Sequence, residues 1–103
     1  MSGPQQHVTV TESGSGGATV TIEGEHDTLG NLLCSYARVV PDVEYVAYDT
    51  EQGPTRALRI EIRTAPLGAA PDGCLLAAIA AADADLAAIE HAVLREASLA
   101  RAV

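Results

Sequence analysis

From Cys74 to about Leu99 the chain contains neither proline nor glycine, and alanine dominates. Nothing in this run breaks a helix, and alanine favours one more than any other residue. Leu75, Ile79, Ala82, Leu86, Ile89 and Val93 recur at intervals of four and three. That spacing places them in one heptad-like seam, which Leu76, Leu94 and several alanines widen. Pro71 and Asp72 suit the first turn, where a missing N–H costs nothing and negative charge is favoured. A helix of this length exceeds what a small domain needs to cover its own sheet. The surplus seam predicts a partner chain.

The residues upstream divide into two hairpins and a shorter helix. His7 to Glu12 and Ala18 to Gly24 both alternate β-branched apolar with polar residues, the signature of half-buried strands. Ser13 to Gly17 reads S-G-S-G-G and fits the turn between them. Val20 and Ile22 then give way to Leu29, Leu32, Leu33, Tyr36, Ala37 and Val40, at helical spacing. Asp27 or Thr28 supplies a capping oxygen, and Pro41 ends the helix. Gly30 costs about 1 kcal/mol inside a helix against alanine, which predicts a close neighbouring backbone. Val43 to Asp49 carries few polar residues and is expected to be covered on both faces. Thr50 to Thr55 is a turn by composition. Arg56 to Thr64 alternates Leu58, Ile60 and Ile62 with Arg59, Glu61 and Arg63. Ala65 to Gly73 is a loop. The order is β-β-α-β-β-α, an α+β class with an antiparallel sheet and both helices on one face. Residues 1–6 read as a disordered tail and 7–103 as a single domain.

Composition narrows the chemistry. The chain has 103 residues and a net charge of −8, with six arginines and no lysine. Direct nucleic-acid binding, which needs cations to displace counterions from phosphates, is not expected. Met1 to Gln6 has no basic signal-peptide region, and no apolar run reaches the ~18 residues of a membrane span. An intracellular, soluble protein with no membrane contact is expected. Cys34 and Cys74 form no C-x-x-C pair and are expected to be buried free thiols. His26 and Asp27 are adjacent but do not face one another, and His91 lies far along the last helix. No metal-ligand spacing and no activated nucleophile is present, so neither a metal nor a cofactor is expected and no residue is assigned as catalytic.

One block is more specific than these patterns. I-E-G-E-H-D-T-L-G-N-L-L (residues 22–33), P-D-V-E-Y-V-A-Y (41–48) and A-L-R-I-E-I-R-T (57–64) together resemble the small alpha-like subunit of multisubunit RNA polymerases. This family comprises archaeal subunit L and its eukaryotic counterparts in polymerase II and in polymerases I and III. The matching positions are Glu25 to Leu32, then Val43, Ala47 and Tyr48, then Ile60, Ile62, Thr64 and Pro71. Two departures stand out. His26 precedes Asp27, where the family usually has Asp before His, and Gly53-Pro54 replaces a common His-Pro.

The resemblance implies a fold like the dimerisation domain of the bacterial alpha subunit and a role without catalysis. Such a subunit pairs with a larger alpha-like subunit. Their heterodimer is the assembly platform for the two large catalytic subunits in transcription. A cytoplasmic site follows for an archaeal version and a nuclear one for a eukaryotic version. On this reading Leu29, Gly30, Leu32, Leu33 and Tyr36, with Leu86, Ile89 and Val93, form the partner interface. His26, Asp27, Thr28 and Asn31 make the helix-start motif, Thr28 and Asn31 through hydrogen bonds. The rival expectation is a free-standing homodimeric α+β module that binds a small ligand in a pocket of converging polar groups. A third, an enzyme using His26 and Asp27, requires turnover that disappears with His26.

Overall fold

A computed structural model describes residues 7–14, 16–53 and 56–101. The element order is β1 (Val8–Glu12), β2 (Gly17–Glu23), α1 (Asp27–Ala37), β3 (Val43–Glu51), β4 (Ala57–Thr64) and α2 (Pro71–Arg101). The four strands form one antiparallel sheet in the order β1-β2-β4-β3. The two hairpins therefore join through β2 and β4, a pairing between segments some forty residues apart. α1 lies over β3 and β4, α2 over β4 and β2, and the helices pack on each other. The expected α+β architecture is the one observed. The tail assigned to residues 1–6 lies outside the described residues.

Cross-strand rows explain the core. Val10, Val20, Ile60 and Tyr48 stand in one row, and Ala18, Ile62 and Val46 in the next. β4 is central, so Leu58, Ile60 and Ile62 lose all contact with solvent. Each such side chain contributes about 1.5–3 kcal/mol by leaving water. From above they meet Leu33, Cys34 and Ala37 of α1 and Cys74, Leu75 and Ala78 of α2. The cover does not reach the β1 edge. Val8 and Val10 point to the helix side but remain 51% and 52% exposed.

Two expectations need correction, and the last helix has the expected start. β3 is not covered on both faces: it is an edge strand with both helices on one side, so Val46 is buried while Tyr45 is exposed. The Tyr45 ring lies beneath the Arg63 guanidinium, 5.5 Å from its centroid. α1 ends at Ala37, not Val40, because residues 38–40 close in tighter turns, Val40 N–H donating to Ala37 O. α2 starts at Pro71 and runs 31 residues to Arg101, about 46 Å at 1.5 Å per residue. It accounts for much of the 59 Å long axis of the described chain.

Asp42 fixes how α1, β3 and the 65–70 loop meet. Its φ is 76°, the left-handed region that aspartate tolerates better than most residues. Its carbonyl accepts from Ala65 N–H at 2.9 Å and its carboxylate from Ala69 N–H at 2.9 Å. Gly68 must be glycine here, since a Cβ would fall 2.6 Å from the Asp42 carboxyl carbon.

Candidate partner-docking surface

The start of α1 is built differently from expectation. His26 is the N-cap, extended at φ −127° and ψ 176°, and no side-chain oxygen caps the helix. Asp27 and Thr28 already lie inside the first turn, so neither occupies the capping position. Asp27 still places negative charge at the positive end of the helix. The hydrogen bonds expected of the Thr28 and Asn31 side chains are not among those seen; Asn31 instead offers its carbonyl to the Ser35 hydroxyl at 2.9 Å. His26 acquires a definite contact. Arg56 Nη1 donates to its Nδ1 at 2.7 Å. An arginine only donates, so Nδ1 accepts and the ring proton sits on Nε2. This contact ties the helix start to the beginning of β4.

Gly30 is a close-packing point, though not against a backbone. A Cβ there would come within 2.5 Å of Tyr48 Cδ2 and 2.7 Å of Leu58 Cδ1. The glycine seats α1 on the chain's own sheet. Leu33 is likewise 5% exposed, within the core. Both residues are turned inward, which corrects their assignment to a contact surface. Leu29 and Tyr36 are half-buried against the core, and Leu32 is exposed. The Tyr36 hydroxyl donates to Asp85 Oδ2 at 2.7 Å, clamping α1 to the middle of α2. That hydrogen bond, then desolvation and the carboxylate's charge, raise the Tyr36 pKa above its usual value.

Asp85 marks a boundary. Before it, Cys74, Leu75, Ala78 and Ala82 are buried. After it, the same seam continues through Leu86, Ile89 and Val93, which are 55%, 58% and 60% exposed. A shallow apolar hollow along this stretch is lined by Ile89, Ala92, Val93, Glu96 and Ala97. The exposed seam and the outer face of α1 meet at the Tyr36–Asp85 clamp.

Other chemistry is sparse. Cys34 and Cys74 are free and buried. Burial raises both thiol pKa values, opposed at Cys34 by Arg38 and reinforced at Cys74 by Asp42 and Asp72. Among the described residues no group of three or more His, Cys, Asp or Glu is placed to hold a metal, and no helix is long and apolar enough to cross a membrane. His26 and Asp27 border an open polar hollow with Thr28, Thr50, Gln52 and Arg56. His91 is exposed on distal α2, away from it.

Against this geometry, the family model of the RNA polymerase Rpb3/Rpb11 dimerisation domain matches residues 17–92. The chain belongs to this family. The Rpb3/Rpb11 match runs from the first residue of β2 to one residue short of Val93, and it includes Leu86 and Ile89. β1 and the last turns of α2 lie beyond it. As a dimerisation domain of RNA polymerase, the chain is a subunit-pairing module, and the small alpha-like subunit read from its sequence is the identity this match supports. No curated protein sequence matches the chain.

Sequence reasoning missed Arg56 and Asp85 as organising residues. Their contacts span 30 and 49 residues, and no local periodicity encodes a separation of that size.

Proposed function

We propose that this chain is the small alpha-like assembly subunit of a DNA-directed RNA polymerase, of the subunit L type. It pairs with the larger alpha-like subunit, and the heterodimer carries the two large catalytic subunits. It works inside the cell, takes no part in catalysis and makes no direct contact with nucleic acid. The observation that supports this is the continuity of the α2 seam. Leu75 and Ala82 of the stripe are seated on the chain's own sheet and helix while Ile79 is already 42% exposed, and the stripe continues in register past the body with no described residue beneath it. A surface that fits one alpha-like layer is offered to a second. Leu32 and the outer edges of Leu29 and Tyr36 extend the contact onto α1.

Co-expression with the larger alpha-like chain tests the reading. Ile89→Asp is expected to abolish co-purification, because a carboxylate buried in an apolar contact has no partner. The isolated variant should unfold within about 0.5 kcal/mol of wild type, since Ile89 makes no core contact. His91→Asp serves as the control. His91 is also exposed on distal α2 but lies outside the seam, and pairing should persist. Equal recovery of both variants would reject the seam as the interface.

A further inference from the structure

The distal seam is flanked by one sign of charge. In the heptad that places Leu86, Ile89 and Val93 at the contact, one flanking column holds Asp83, Glu90 and Ala97, and the other Asp85, Ala92 and Leu99. Glu96 reaches the contact itself and lines the apolar hollow beside Ile89 and Val93. Neither column carries a lysine or arginine. Arg95 and Arg101 fall outside both, and Arg95 turns its Nε toward Glu96 at 4.0 Å.

Charges in these columns set partner choice where two helices pack seam to seam. Two copies of this chain packed in parallel would set Asp85 of each against Glu90 of the other. Packed antiparallel, they would set the Asp83–Glu90 columns against each other. Either way acid meets acid, at the rim of an apolar contact where screening by water is reduced.

We propose that distal α2 selects a partner helix whose apolar seam is bordered by lysine or arginine, and that its acidic columns hold the chain back from pairing with itself. This rests on the heterodimer reading above and adds the chemistry of the partner's face. The acids act as a repulsive element against the wrong partner as well as an attractive one for the right one.

The chain itself supplies the probe. In a copy with Asp83→Lys, Asp85→Lys and Glu90→Lys, both columns are basic; this also removes the Tyr36–Asp85 hydrogen bond, and the circular dichroism reads whether the fold survives that loss. Sedimentation equilibrium at low salt is run on wild type, on this variant and on their equimolar mixture, with circular dichroism on each. Wild type and variant alone are expected to stay monomeric. The mixture is expected to form a 1:1 dimer at least about tenfold tighter than either self-association, from several exposed pairs of modest strength. The gain should fade toward about 1 M salt, where the screening length falls to ~3 Å. A mixture no tighter than wild type alone overturns the proposal, whether both associate or neither does. Should the triple variant fail to fold, Asp83→Asn with Glu90→Gln decides. This neutral chain must self-associate more tightly than wild type, and equal behaviour overturns the proposal. A failed mixture alongside intact co-purification with the larger alpha-like chain would remove only the charge rule and leave the assembly function standing.

Discussion

Gly30 shows how one missing methyl group positions a helix. Alanine would favour the helix by about 1 kcal/mol, but its Cβ would meet the Tyr48 ring and the Leu58 side chain. Leu58 is fully buried and Tyr48 packs against the core, so neither moves freely. Overpacking of this kind costs about 1–3 kcal/mol. Gly30→Ala is therefore expected to lower stability in urea unfolding despite its better propensity, and a stabilised variant would refute the packing account. The cost of glycine pointed to a close neighbouring backbone, and the side chains of Tyr48 and Leu58 stand there instead. Their identity depends on β3 and β4, which the local sequence does not place. His26 was unreadable for a similar reason: its partner is Arg56, thirty residues on. The T-L-G-N block marked where the helix begins but not what caps it.

Among the elements, the strands were legible where burial was one-sided. β4 alternates Leu58, Ile60 and Ile62 with charge, and the structure keeps that alternation. β3 misled because Tyr45 and Ala47 look like core residues while facing the open side of an edge strand, where Arg63 covers the ring. The sheet order was not legible: the joining of β2 to β4 depends on helices that cover only one face. Between elements, Asp42 joins α1, β3 and the loop leading to α2. Asp42→Ala loses the carboxylate acceptor and places a Cβ-bearing residue without local hydrogen bonds in the left-handed region. Together these should cost about 1–3 kcal/mol. Asp42→Asn keeps both features and should stay within about 0.5 kcal/mol of wild type. Thermal unfolding of the pair separates the two contributions, and an equal loss in both would point to the carboxylate's charge instead.

In the molecule as a whole, polar and apolar surfaces are segregated. The open sheet face carries Arg59, held by Asp49 and Glu51 at 3.2 and 3.3 Å, and Arg63 beside Glu61 at 3.8 Å. These exposed pairs are each worth about 1 kcal/mol or less and leave that face well solvated. Apolar area gathers instead on the far half of α2. The length of this helix and its surplus seam were plain in the sequence, because a run without breakers and a heptad spacing are local signals. Where the body ends, at the Tyr36–Asp85 contact, was not.

That contact also divides α2 in time. One face of residues 74–82, through Cys74, Leu75, Ala78 and Ala82, is anchored in the core, and the amides of this stretch should exchange with solvent mainly when the whole domain opens. Beyond Asp85 the helix has no tertiary support from the described residues, and a stretch of that length is marginal in water. Its amides should exchange orders of magnitude faster by opening from the end. One continuous helix would thus keep two clocks, a slow one for the fold and a fast one for the arm. Pairing should bring the fast one toward the slow. Deuterium uptake along α2, measured free and with the larger alpha-like chain, reads both directly; uniform slow exchange in the free chain would contradict the unsupported arm.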